Sequence, residues 1–209
     1  MKAYVLLANG FEEVEALTTA DILARAGIEV KMVKVPTPDG EACKAVSGSH
    51  GFKIKTDLLL SGEFPEGDCH GQKAPLPQSD AAEAVAKLSD GDCVVLPGGM
   101  PGTTNLGASE AVLAVVKDYY TKGKIVAAIC AAPSVLGDNG YLQGRKATCF
   151  PGFESRLAGA NVTGSAAEID GNIVTGKSMG SAITFGLKVV EALLGKDAAD
   201  KVEANIYRG

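Results

Sequence analysis

The chain has 209 residues, of which 46% are hydrophobic and 22% charged, with a net charge of −5 and no tryptophan. That length carries one large α/β domain or two small ones, buries roughly 70% of its unfolded surface, and needs no disulfide or metal to be stable. An acidic balance without a basic stripe or an aromatic ladder excludes nucleic acid as the main partner. No apolar run approaches the roughly 20 residues that span a bilayer, which argues against a membrane partner. The five cysteines show no close pairing, which predicts reduced thiols in a cytoplasm.

Residues 2–8 predict a buried strand rather than a signal peptide, because Asn9-Gly10-Phe11-Glu12-Glu13 follows at once. The spacing of Val14, Leu17, Ala20, Ile22, Leu23 and Ala26 predicts a helix over 12–26, ended by Gly27. Residues 29–33 form the second strand. From Pro36 to Gly51 the chain is polar and turn-rich, and Phe52-Lys53-Ile54-Lys55 alternates like an edge strand or hairpin arm. Residues 61–79, with Gly62, Pro65, Gly67, Gly71, Pro75 and Pro77, predict an inserted surface loop.

Helical spacing returns at 80–88. A central strand over 92–96 runs into Pro97-Gly98-Gly99-Met100-Pro101-Gly102. A helix is expected over 109–122, then a strand over 124–129 that meets Cys130. Short strands are expected at 147–149, 168–169 and 173–175, then helices over 181–194 and about 197–205. There is no internal repeat. Strands alternating with helices predict an α/β fold with a mostly parallel sheet and helices on both faces. Sites in such folds lie beyond the carboxyl ends of the strands.

Cys130 is the residue richest in implied chemistry. The apolar run Ile125–Ile129 meets the small-residue start Ala131-Ala132-Pro133-Ser134 there. A sulfur at such an elbow faces the first N–H groups of a helix, which predicts a lowered thiol pKa and a nucleophilic thiolate. A buried structural cysteine is the plainer alternative. Glu12, Glu13 and Glu15 lie in a first helical turn, where acids are stabilising in any case. Gly98 and Gly99 follow a strand, where backbone N–H groups can approach a ligand as an oxyanion hole requires; the alternative is a tight turn. Their spacing with Gly102 is neither a dinucleotide fingerprint nor a Walker loop. The two histidines, His50 and His70, lie in turn-rich segments, and His70 beside Cys69 does not supply the ligands of a metal site, so no metal is expected.

Five segments in order resemble the ThiJ/PfpI superfamily in its DJ-one branch. They are Asn9–Glu15, Ala24-Arg25-Ala26-Gly27, Val94–Gly99, Ala127–Pro133 and Gly176–Ser181. The resemblance covers nearly the whole chain and implies a single domain over 1–209 with a flavodoxin-like three-layer sandwich. It implies that Cys130 is the reactive cysteine and that Glu15 is a protonated carboxyl group hydrogen-bonded to the sulfur. The N–H groups of Gly98, Gly99 and Ala131 would hold an oxyanion or a sulfinate oxygen, with Arg25 and Ser178 as supporting residues. It further implies a homodimer with the site near the interface.

The departures bear on function. The peptidase branch carries histidine directly after the cysteine, where this chain has Ala131, which argues against that chemistry. Some relatives carry a histidine just after the strand ending at Thr148, where this chain has Phe150. Where others place an arginine facing the partner, His50 stands here and becomes a candidate proton carrier. The resemblance therefore implies a cofactor-independent glyoxalase or deglycase acting on small reactive aldehydes such as methylglyoxal. The alternatives it implies are a redox-responsive stress protein or chaperone whose Cys130 oxidises to sulfinate, and a thiamine or thiazole-phosphate protein, for which no phosphate-binding motif is present.

Overall fold

The computed structural model describes residues 1–37, 43–64 and 79–207. Most of the expected insertion, with Cys69 and His70, lies outside the described residues. The chain runs β1 (Lys2–Leu7), α1 (Glu13–Arg25), β2 (Glu29–Lys34), β3 (Ala45–Ser47), β4 (Lys53–Lys55) and β5 (Leu58–Leu59). It continues through α2 (Ala81–Lys87), β6 (Cys93–Leu96), α3 (Gly102–Ala108), α4 (Glu110–Thr121), β7 (Ile125–Ile129) and α5 (Pro133–Asp138). Then come β8 (Lys146–Ala147), β9 (Asn161–Val162), β10 (Ala167–Asp170), β11 (Ile173–Gly176), α6 (Ala182–Leu194) and α7 (Lys196–Asn205).

Seven strands form one sheet in the order β10-β11-β7-β6-β1-β2-β5, parallel throughout except for the antiparallel β10–β11 pair. Both faces of the sheet are covered. Along β1, Tyr4 and Leu6 join the cluster containing Val112, Val116 and Tyr119 of α4, while Ala3, Val5 and Leu7 join the one containing Ile22 of α1 and Phe185 of α6. The two-residue period of a strand sends alternate side chains into the two layers, so a central strand must be apolar throughout. This is the three-layer α/β sandwich.

β1 has β2 on one side and β6 on the other, so the order of strands reverses at β1–β6. Such a reversal opens a crevice at the carboxyl ends. The segments entering it are those that follow β1, β6 and β7.

Several elements differ from the sequence expectation. α3 occupies Gly102–Ala108, where the glycines and threonines are poor helix formers. Tertiary bonds hold it: Gly102 N donates to Gly10 O at 3.2 Å and Asn105 Nδ2 to Asn9 O at 2.9 Å. The strand expected at 147–149 is Lys146–Ala147, because Thr148 N bonds the Thr175 hydroxyl at 3.0 Å instead of a ladder partner. In α1 the inward face is Glu15, Ala16, Thr19, Ile22 and Leu23, while Val14 and Leu17 are 45% and 41% exposed. Among the described residues no helix is long and apolar enough to cross a membrane, and Cys93, Cys130 and Cys149 are free thiols.

Candidate active site

Cys130 adopts φ 65°, a left-handed conformation that costs a side-chain-bearing residue of order 1–3 kcal/mol. The surroundings hold it there. Its N–H donates to Gly176 O of β11 at 2.9 Å, and its carbonyl accepts from Phe150 N at 2.8 Å. The strand on one side and the 148–150 segment on the other thus fix the elbow. The sulfur is left half-buried in the crevice.

Glu15 reaches the same place from the first turn of α1 and is fully buried. Its Oε2 accepts the Gly98 N–H at 2.9 Å, whereas Oε1 is buried without a hydrogen-bond partner among the described residues. Gly98 is the spacer between the two groups. A Cβ there would fall 2.6 Å from Cys130 Cβ and 2.7 Å from Glu15 Oε2, so only glycine allows the approach. Gly99, at φ 86°, has a second restriction, because a Cβ would lie 2.4 Å from Glu12 N.

The electrostatics of the pair differ from the sequence expectation. Burial pushes the Glu15 carboxyl up to about 7, aided by the charge of Glu12 and opposed by the thiol and the Gly98 N–H. Burial, then the Glu15 carboxylate, pushes the Cys130 thiol up to about 12, against the N–H groups of Ala131 and Gly99. Two backbone donors do not outweigh desolvation and a carboxylate together, so the elbow by itself does not lower this thiol. The two groups share the titration and cannot both be anionic at neutral pH. When the proton sits on the carboxyl, repulsion of the sulfur ends and the carboxyl O–H can donate to the thiolate.

The structure thus brings together Cys130, Glu15, Gly98, Gly99 and Ala131. The N–H of Gly98, expected to face an oxyanion, is instead committed to Glu15. His50 points its ring at α1: Nδ1 lies 3.0 Å from Glu13 Oε2 and 3.6 Å from Glu12 Oε2, and its hydrogen bonds go to Glu13 and Ser49 rather than to Cys130. Arg25 sits ten residues beyond Glu15 on α1, about 15 Å along the axis, and pairs with Asp21 in solvent. Within one chain it does not support the site. Ser178 follows β11, and its N–H donates to Ser181 Oγ at 3.0 Å, which makes it the start of the turn before α6. Among the described residues Glu12, Glu13 and His50 have donor atoms within 4.8 Å of one another, but Glu13 already accepts the His50 and Phe52 N–H groups. What sequence reading missed is Glu13 itself, a buried carboxylate whose first-turn position looked sufficient to explain it.

Residues 1–192 match the model of the DJ-1/PfpI family. The chain belongs to the DJ-1/PfpI family. Among DJ-1/PfpI relatives, the Parkinson disease protein 7 homolog of Danio rerio is 34% identical over 97% of this chain and 95% of its own length. Protein DJ-1 homolog B of Arabidopsis thaliana is 36% identical over 96% of this chain, which spans only 40% of that relative. Two solved structures are similar. Oxidised Toxoplasma gondii DJ-1 has a TM-score of 0.79 and 33% identity, covering 98% of this chain and 97% of its own. Drosophila melanogaster DJ-1beta has a TM-score of 0.77 and 32% identity, covering 98% and 96%.

Proposed function

We propose that the chain is a single-domain, cysteine-dependent, cofactor-independent enzyme of the glyoxalase or deglycase type, acting on methylglyoxal or related reactive aldehydes in a reducing cytoplasm. The observation that carries this reading is a half-buried cysteine in a strained elbow beside a carboxyl that titrates near neutrality. A carboxyl with that value can both give and take a proton at cellular pH.

In this reading the Cys130 thiolate adds to the aldehyde carbon, forming a C–S bond while the carbonyl electrons become an alkoxide that takes a proton. The product is a hemithioacetal. Glu15 removes the hydrogen on that carbon as a proton and returns it to the neighbouring carbon, converting the adduct to a thioester of lactate. Water cleaves the thioester, releasing lactate and the thiol, so the net change is addition of one water. The N–H groups of Gly99 and Ala131 face the sulfur and are the donors available to an oxyanion on the attached carbon. Ala131 and Phe150 leave histidine out of this scheme, which disfavours peptidase chemistry.

Lactate formation from methylglyoxal without glutathione, compared for wild type, Cys130→Ala and Glu15→Gln, tests the reading. Turnover by wild type and its loss in both variants supports it. Equal lactate from wild type and Cys130→Ala overturns it.

A second reading, a peroxide-responsive stress protein or chaperone, draws on the orphaned Glu15 Oε1 and on the oxidised form of the Toxoplasma relative. Peroxide would take Cys130 to sulfenic and then sulfinic acid, whose oxygens a protonated Glu15 can donate to. Intact mass after graded peroxide separates this reading from scattered oxidation: two oxygens must collect on Cys130. A thiamine-pathway role has no site observation in its favour.

Homodimer formation belongs to the same proposal. Val14 and Leu17 of α1 and Ile183 of α6 are 41–45% exposed, and a shallow groove lined by Leu17, Thr18, Asp21, Arg25, Ile183 and Ile206 lies between them. A second copy covering this face would bury Arg25, which the resemblance expects as a supporting residue near the site, at the interface.

A further inference from the structure

We propose that Glu13 is a positioning residue that fixes Glu15 against Cys130 by clamping the β3–β4 hairpin to the first turn of α1. The inference rests on Cys130 and Glu15 being the reactive pair, and not on any particular substrate.

Glu13 is only 5% exposed, yet the chemistry above makes no use of it. A buried carboxylate needs partners to offset its lost hydration, and those partners show what it holds. Here they all come from one turn. Oε1 accepts the N–H of His50 at 2.8 Å and of Phe52 at 3.4 Å, while Oε2 lies 3.0 Å from His50 Nδ1 and accepts from Ser49 Oγ at 3.2 Å. Burial works to raise this carboxyl, but the His50 ring and the backbone N–H groups outweigh it, so it stays anionic. The fit is close: a Cβ on Gly48 would fall 2.2 Å from Glu13 Oε1. The backbone repeats the attachment, with Gly10 N donating to Ser47 O at 2.8 Å and Ser49 N to Phe11 O at 2.8 Å.

The other side of the same segment forms the wall of the reactive site. Glu12 N donates to Gly98 O at 2.9 Å, and Gly102 N to Gly10 O at 3.2 Å. Glu13 and Glu15 are two residues apart in a helix, so their side chains leave the axis about 200° apart. One turn is therefore gripped from opposite sides: Glu13 by the hairpin, Glu15 by Gly98 and Cys130. Releasing the hairpin grip frees the turn to shift, and Glu15 shifts with it. The charged groups facing Glu13 are His50, from the hairpin, and Glu12, its own neighbour.

The test is the pH dependence of Cys130 alkylation by iodoacetamide, read by peptide mass, with thermal midpoints measured alongside. Because the Glu15 carboxylate raises the thiol, Glu13→Ala is expected to speed alkylation at pH 7 about threefold and move its pH midpoint down, in the same direction as Glu15→Ala. Glu13→Gln retains an oxygen for the His50 and Phe52 N–H groups and is expected to keep the wild-type midpoint. Gly48→Ala attacks the clamp from the hairpin and should act like Glu13→Ala, which serves if that variant fails to fold. A lowered thermal midpoint with an unchanged alkylation midpoint in Glu13→Ala or Gly48→Ala would make the clamp merely structural and overturn the proposal. Because alkylation needs no aldehyde, an absence of lactate formation sinks the glyoxalase reading without touching this one.

Discussion

A fully buried carboxyl whose folded-state pKa is about 7 alters how stability depends on pH. The ordinary value is 4.5, so the folded value is raised; the stability linked to this group is complete below 4.5 and is lost as pH rises through about 7. By pH 8 the loss is worth roughly 3 kcal/mol. Glu15→Gln is therefore expected to melt above wild type at pH 8 and to converge with it near pH 4.5. Thermal denaturation across that range checks this, and a variant that melts below wild type at pH 8 contradicts it. Such a gain in stability on removal of a reactive group is a familiar exchange of activity for stability. Gly98→Ala probes the same pair sterically. Its Cβ would push apart Cys130 and Glu15, which lie 2.6 and 2.7 Å from that point, and displacement on this scale is expected to cost about a hundredfold in kcat. Lactate kinetics on variant protein with a normal circular dichroism spectrum measure it.

At the scale of elements, the site depends on α1 being seated, because α1 carries both Glu13 and Glu15. The seat is α6. Ile22 is 2% exposed, and Gly186 of α6 approaches so closely that a Cβ there would lie 3.0 Å from Ile22 Cβ. Ile22→Ala leaves a cavity at this contact and is expected to cost about 2–5 kcal/mol. At about 2–4 °C per kcal/mol for a chain of this length, the melting midpoint should fall by about 4–20 °C. A fall of under 2 °C would mean that α6 collapses onto the gap. The Glu13–His50 contact adds a pH term of its own. His50 is raised by its hydrogen bond to Glu13 and by Glu12, so its contribution is present below its ordinary value of 6.5 and fades as pH rises past the raised one. Glu13 is depressed, so its contribution is present above its ordinary 4.5 and is lost as pH falls through its folded value. The hairpin is therefore held most firmly between about pH 4.5 and 6.5, and the protection of the His50 and Phe52 amides from hydrogen exchange, relative to the intrinsic rate at each pH, should be greatest there.

For the whole molecule, an outward apolar strip on α1 and α6 predicts self-association. Leu17→Asp is expected to halve the mass seen by sedimentation while leaving the melting midpoint of a dilute sample almost unchanged, since Leu17 is 41% exposed and outside the core. Wild type that sediments as one chain refutes the dimer. Much of the architecture was legible in the sequence because apolar periodicity reports burial directly: β1, β6 and β7 are unbroken apolar runs, and they are the strands covered on both faces. The Cys130 elbow was legible for the same reason, as the point where such a run stops at a cysteine before small residues. Helix α3 was not, because its threonines and glycines are poor helix formers and its anchoring bonds run to Asn9 and Gly10, residues remote in sequence. The sequence by itself determined the alternation of strands and helices, the central sheet and the placing of Cys130 at a strand-to-helix elbow, all of which follow from local pattern. Only the tertiary structure decided that Gly98 binds Glu15 rather than an oxyanion, that His50 serves Glu13 and that Arg25 stands a helix length away. Those outcomes depend on distances between segments far apart in the chain, and on desolvation that exists only once the segments have closed over one another.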